Sequence, residues 1–323
     1  MRRIDLHVLG PLLALVALFI LGALLNPAFL APANLSNVAA RSAFTGLIAI
    51  GMTFVITQGG LDLSVGSMAA FLAGIAIMAM NALVPITEAN WGTVLMGMGM
   101  GVALGGGVLA GMLNGTLVTR WGIEAFIVTL GTMGIFRSLV TWLADGGTLS
   151  LGSDLRALYR PVYFGGIGWV TWPIIVFAIA AVLGEWTMRH TRFGRHVEAI
   201  GSNDRVARYS NVNVERVRLA TYVLLGALVG LATILYIPRL GSASGSTGTL
   251  WELEAIAAVI IGGTALKGGR GRVWGTVVGV LILSLIDNIL NLADLVSPYL
   301  NGAIQGVIIV LAVVLQREKR SAE

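Results

Sequence analysis

The side chains of this sequence that could do chemistry are few, and their spacing suits holding a polar solute. Thr129 and Thr132 lie three residues apart, as do Asn288 and Asn291. On helices each pair shares a face and can line a cavity. Asn114 sits inside a long apolar run, and Asp62 sits in a turn after Gly59-Gly60. Each has a plainer reading: Thr in an apolar helix also bonds back to its own backbone, and Asn also glues helices together. Motifs of covalent or hydrolytic chemistry are missing. The segment Gly262-Gly263-Thr264-Ala265-Leu266-Lys267-Gly268-Gly269 lacks the spacing of a phosphate cradle, and no HExxH or GxSxG occurs. With no Cys there are no disulfides, thiolate metal sites or Cys nucleophiles. His7, His190 and His196 are too few, and too near charged segments, for a metal cluster. The chain is therefore expected to hold no catalytic residue, metal or cofactor of its own.

Composition defines the elements that must position these residues. Of 323 residues, 56% are apolar and only 11% are charged, with 43 Gly besides. A soluble chain carries about 25% charged residues. A mean hydropathy of +0.86 means that lipid is the solvent for most of the protein. This excludes a secreted or cytosolic enzyme, and a nucleic-acid partner despite the pI near 10.0.

Ten apolar runs read as spans: Leu9 to Leu25, Ala43 to Thr57, Leu63 to Met80, Gly92 to Val118, Phe126 to Ala144, Ile167 to Met188, Leu219 to Ile237, Leu253 to Leu266, Val273 to Leu290 and Tyr299 to Leu315. The expected fold is an all-α integral membrane protein of about ten transmembrane helices, residues 1–323 forming a single domain. The second and eighth runs are short of the roughly 20 residues that a crossing needs, and each precedes a Gly-rich turn. Interrupted backbone at membrane depth must be covered by protein or line a polar cavity, so both are candidates for a pathway lining. With both termini in the cytoplasm, sixteen Lys and Arg fall on inner segments and four (Arg41, Arg156, Arg160, Arg239) on outer loops. That asymmetry follows the positive-inside rule. Gly97, Gly101 and Gly105 form one row on the fourth span, and Gly107, Gly111 and Gly115 a second. Close backbone packing within the chain is the reading preferred over a subunit interface.

The longest inner loop, about 189–218, carries seven Arg. Within it Asn203 or Ser202 can cap a short helix of Asp204, Arg205, Val206, Ala207, Arg208, Tyr209 and Ser210, with Val206 and Tyr209 on one face. Such a helix needs something to pack against, either anionic lipid or a cytoplasmic protein. No segment is large enough to form a nucleotide-binding domain, so any ATP is hydrolysed by another chain. An ion gradient is the alternative power source. Against it, Asp62, Arg137, Asp145, Asp287 and Asp294 are more economically read as interfacial charges.

The segment from Gly59 through Leu61-Asp62-Leu63-Ser64-Val65-Gly66 to Ser67 resembles the GG-I-DLSVGS stretch of permease subunits of ribose-type ABC sugar importers, in the ribose and branched-chain amino-acid permease superfamily. Similar segments follow in family order at 111–115, 124–133, 199–203, 252–264 and 268–276. Trp251 and Arg272 depart from the usual Tyr and small residue. The resemblance implies a multi-pass permease of the bacterial inner membrane that moves a sugar or sugar-like solute. It implies as partners a cytoplasmic ABC ATPase that uses ATP and Mg, a periplasmic or lipid-anchored solute-binding protein, and a second permease copy, identical or paralogous. Asn203 to Tyr209 then correspond to the coupling helix that fits the ATPase. The pathway candidates are Asp62, Asn114, Thr129, Thr132, Asn288 and Asn291. The alternative is a stand-alone ion-coupled transporter or facilitator. The turns Gln58 to Gly66 and Gly262 to Arg272 are expected to approach one another, with Asp62 bonded to backbone N–H groups or to Lys267, Arg270 or Arg272. The other reading has Asp62 merely capping the third helix.

Overall fold

The computed structural model describes residues 6–83, 91–293 and, towards the C-terminus, 300, 302–304 and 306–307. The first half contains α1 (Leu6–Leu25), α2 (Pro32–Thr57), α3 (Val65–Leu83), α4 (Gly92–Arg120) and α5 (Ala125–Leu143). The short β1 (Thr148–Ser150), α6 (Ser153–Tyr159), α7 (Pro161–Phe164), β2 (Gly166–Ile167) and β3 (Val170–Thr171) follow. Next come α8 (Trp172–His190), α9 (Arg192–Ser202), α10 (Asp204–Tyr209), α11 (Val214–Leu240), β4 (Ser242–Ser244), α12 (Trp251–Ile261) and α13 (Val273–Ala293). Among the described residues, seven helices are long and apolar enough to cross a membrane: α2, α3, α4, α5, α8, α11 and α13. The helical expectation is modified by two antiparallel ribbons, β1 with β4 and β2 with β3.

The second expected span is corrected from 15 residues to the 26 of α2. The apolar run stops at Arg41-Ser42, yet the helix continues to Pro32, whose ring pre-sets the first helical turn. The eighth span stays short. α12 has 11 residues and, at about 1.5 Å per residue, covers only half of a core near 30 Å. Most of the tenth, Tyr299 to Leu315, lies outside the described residues.

α2 is the axis of the bundle, buried almost without interruption from Ser42 to Thr57 and packed by α8, α11, α12 and α13. α4 and α11 pack closest, and the two glycine rows of α4 part ways here. A Cβ on Gly107 would strike the Gly226 carbonyl, one on Gly111 the Tyr222 carbonyl, and one on Gly115 Leu219. At Gly97, Gly101 and Gly105 a Cβ would meet open space. Only the second row is intrachain packing.

Exposed tryptophans mark the two ends. Trp91, Trp142, Trp169 and Trp172 ring one end, while Trp121, Trp186 and Trp274 ring the other, as at the two interfaces of a bilayer. Trp251 alone is packed in the interior.

The glycine rows supply a paired test. Gly107→Ala and Gly111→Ala should each destabilise the chain by about 1–3 kcal/mol, the usual cost of overpacking, seen as earlier aggregation on heating in detergent. Gly101→Ala should change it by less than about 0.5 kcal/mol.

Candidate functional site

At the end of the bundle where the arginines gather, three turns meet. α2 stops at Gln58 because Gly59 takes a left-handed φ of 89°, and the chain re-enters at Val65. Between them Asp62 is 1% exposed. Its Oδ1 accepts from the Ser64 backbone N–H (2.8 Å) and hydroxyl (2.6 Å), and its Oδ2 accepts from Asn114 Nδ2 (3.0 Å). Asn114 also donates to Ser64 Oγ (2.9 Å), while Tyr222 OH donates to the Leu61 carbonyl (3.1 Å). Asp62 is thus bonded to a backbone N–H, as one expectation had it. Its side-chain partners are Ser64 and Asn114, not a basic residue. It does more than cap α3, because the bond to Asn114 ties the turn to α4.

The turns 58–66 and 262–272 do approach. Gly269 N–H donates to the Thr57 carbonyl (2.8 Å), and both Gly268 (φ 86°) and Gly269 (φ 87°) use backbone open to glycine. Gly201, near the end of α9, completes the junction, since a Cβ there would overlap the Thr57 carbonyl and the Gly269 nitrogen. Three backbones therefore touch, one of them belonging to the loop at 189–218. Thr53 and Thr276 hydroxyls bond just behind them (2.7 Å).

That loop folds as two helices where one short helix was expected. α9 is amphipathic, burying Val197 and Ile200. Asn203 follows in extended backbone, and its side chain accepts from Val206 N (3.1 Å), capping α10. Arg208 pairs with Asp204 (3.3 Å) and with Glu215, and Arg218 reaches Asp204 (3.6 Å), which fixes α10 against the start of α11. The Glu215 bond also holds the Arg208 guanidinium above its ordinary pKa. Ala207 is buried, while Val206 and Tyr209 are 57% and 90% exposed. Arg205 is exposed beside them. An apolar pair among charges is thus presented outward, as a small knob, by a capped and ion-paired turn.

Towards the opposite end the chain is interrupted. After α11, Gly241 turns left-handed, β4 pairs with β1, and the chain folds back into the bundle. Gly248 reaches the start of α3 so closely that a Cβ on Gly66 would overlap its carbonyl. α12 then begins after Leu250, at φ 68°. Arg137 on α5 holds this segment through Nη1, which donates to the Gly245 (2.7 Å) and Thr247 (2.5 Å) carbonyls. Above it, Phe44 stacks on Tyr163 and Trp251 and meets Tyr236 edge-on, with the Arg239 guanidinium over Phe44 at 5.6 Å and over Tyr163 at 5.8 Å. Sequence reasoning missed both features. The available signals were an Arg inside a span and a Trp away from both belts.

The other candidates are not brought together with Asp62 and Asn114. Thr129 and Thr132 are buried, and their hydroxyls bond the carbonyls of Ala125 and Thr129. Asn288 pairs with Asn34 of α2 (3.0 and 2.8 Å), and Asn291 bonds the Asp287 carbonyl. Arg137, read from sequence as an interfacial charge, is instead a clamp. A cleft of about 410 Å³ opens beside it, lined by Arg137, Ser138, Thr141, Trp142, Asp145 and Gly146.

Comparison with known proteins places this geometry. A family described as "Branched-chain amino acid transport system / permease component" matches residues 34–313. The chain is 40% identical to the ribose import permease protein of Bacillus subtilis over 96% of its own length and 93% of the relative's. It is 36% identical, with the same coverage, to the ribose import permease protein of Escherichia coli K12. It is 32% identical to the xylose transport system permease protein of Haemophilus influenzae, over 97% of this chain and 96% of that one.

A double-mutant cycle on Asp62→Ala and Asn114→Ala tests the buried network. Each change alone strands a buried polar partner and should cost about 1–3 kcal/mol of stability. The pair should cost less than the sum by about 0.5–3 kcal/mol. Strict additivity of the detergent-unfolding data would show that the two residues do not act together.

Proposed function

The chain belongs to the family of branched-chain amino acid transport system permease components, and on that premise we propose that it carries a sugar or closely related polyhydroxylated solute. It is the multi-pass permease subunit of an ABC importer in the bacterial cytoplasmic membrane, and its ATPase is a separate subunit. The observation that carries the solute class is the likeness to ribose and xylose permeases along nearly the whole of both chains.

In the proposed arrangement residues 1–323 form one permease domain with about ten membrane helices and both termini in the cytoplasm. The arginine-rich end, with α9, α10 and the Thr57–Gly269 junction, faces the ATPase. Charge asymmetry supports this orientation, as does the presence of the docking knob at that end. Asn203 to Tyr209 form the coupling helix, Val206 and Tyr209 entering a groove of the ATPase, which binds ATP and Mg. A solute-binding protein, periplasmic or lipid-anchored, delivers the sugar at the other end, and a second permease copy completes the pathway. Asp62 and Asn114 stand at the pathway's inner mouth. Thr129 and Thr132 bond carbonyls of their own helix, Asn288 pairs with Asn34, and Asn291 bonds the Asp287 carbonyl one turn back, which supports holding helices over lining the passage.

The reading is tested by reconstitution. Proteoliposomes with the chain, its ATPase and its binding protein should take up labelled ribose or xylose only with ATP. Uptake by the chain alone under an ion gradient would instead establish the stand-alone carrier. Val206→Asp should abolish ATPase association and ATP-driven uptake while the permease stays folded in the membrane. Wild-type ATPase binding by that variant would assign α10 to the lipid surface.

A further inference from the structure

Residues 245–250 are irregular backbone lying between β4 and α12, and they are not sealed inside the protein. Ser246, Thr249 and Leu250 are exposed. The neighbouring face of α5 is exposed as well, at Ser138 and Thr141, and the two surfaces are continuous, since a Cβ on Gly245 would meet Thr141 Oγ1. Hydrocarbon does not tolerate such a face, because irregular backbone at membrane depth survives only against protein or a water-filled space. The outward surface of α8, with Ile179, Val182, Leu183 and Trp186, is apolar and suits lipid. On α5 the exposed hydroxyls of Ser138 and Thr141 stand beside exposed Ile135 and Trp142, so this face is mixed.

The cleft on this face is shallow and open to the outside, about 410 Å³ in volume. Its lining mixes donors and acceptors. Arg137 commits Nη1 to the Gly245 and Thr247 carbonyls. A guanidinium has five N–H donors in a planar fork, and Arg137 lines the cleft as well as holding the two carbonyls. Ser138 offers a hydroxyl, Asp145 an acceptor at the rim, and Trp142 a ring face. Glu252, at the first turn of α12, interacts electrostatically with Arg137 and offsets its charge. With a cation, an anion, the Ser138 hydroxyl and an apolar indole in its lining, the cleft suits a neutral polyhydroxylated solute better than an ion.

We propose that Arg137 contacts the transported solute in this cleft, donating to its hydroxyls while holding Gly245 and Thr247, so that cleft occupancy bears directly on where α12 begins. The inference rests on the permease reading and deepens it. Arg suits the double task because its fork serves two carbonyls and a ligand at once, which a Lys ammonium on a flexible stem does not.

The chain has no Cys, so single cysteines can be placed in the intact importer without background. In membranes, Ser138→Cys and Ser246→Cys should react with a charged, membrane-impermeant thiosulfonate at least tenfold faster than Ile179→Cys and Leu183→Cys on α8. Millimolar ribose or xylose, whichever the wild-type complex transports, should slow modification of Ser138→Cys severalfold. Arg137→Lys should cut ATP-driven uptake at least tenfold and remove that protection while the ATPase stays bound. Thr141→Val, which leaves the clamp intact, should shift the ratio of ribose to xylose uptake threefold or more. Reactivity as low as on α8 would overturn the proposal, as would efficient Ser246→Cys cross-linking between copies without reagent access, which marks a dry interface. Wild-type uptake and protection in Arg137→Lys would overturn it alone, whereas a wild-type complex that moves no sugar at all would count against the permease reading itself.

Discussion

A chain that breaks a helix within a membrane bundle must find partners for the backbone groups it frees, and this fold depends on how that is done at residues 241–250. Each unsatisfied carbonyl there would cost several kcal/mol. The Arg137 guanidinium accounts for two of them, β1 and Asn81 steady the ribbon that feeds the segment, and Thr247 Oγ1 accepts from Ser244 N–H. The reward is a helix, α12, that starts in the interior instead of at a surface. Its partner α13 can then approach through Gly262 against Gly275 and Ala258 against Gly279.

From α12 the connection to the arginine-rich end is short and made of backbone. The loop that follows α12 carries Gly268 and Gly269, which contact the end of α2 and Gly201 of α9, and α9 leads through capped Asn203 into α10. Side chains at such a junction would cushion a displacement. Glycines at van der Waals contact transmit it, because packed interiors are stiff. The Asp62, Ser64 and Asn114 network fastens α3 and α4 to the same turn. α10 is thus connected through α9 and the glycine junction to the end of α2, and through the Asp62 turn to α3 and α4.

Much of this was legible in the sequence where one residue type has one physical use. Asn203 followed by Asp204 announced a cap, and the Gly59-Gly60 and Gly268-Gly269 pairs announced turns. The arginine asymmetry separated the two ends. Runs of apolar residues misjudged α2, because Asn34, Ser36, Arg41 and Ser42 are helical without being apolar, and a hydropathy reading stops at them. α9 escaped because its burial alternates with arginines, a surface pattern that a search for membrane runs passes over. The polar candidates divided for a physical reason. Asp62 and Asn114 are far apart in sequence and meet only through tertiary packing, whereas Thr129, Thr132 and Asn291 find partners one turn away. Arg137 was read as a snorkelling charge because its partners are main-chain carbonyls, which no side-chain pattern reveals.

The central claim, that one guanidinium holds the interrupted segment in place, is tested most directly by hydrogen–deuterium exchange on the importer in nanodiscs. Arg137→Gln should accelerate exchange across 242–254 and leave 44–57 of α2 at the wild-type rate. Unchanged exchange across 242–254 would contradict the account, since the segment would then be held by something other than Arg137.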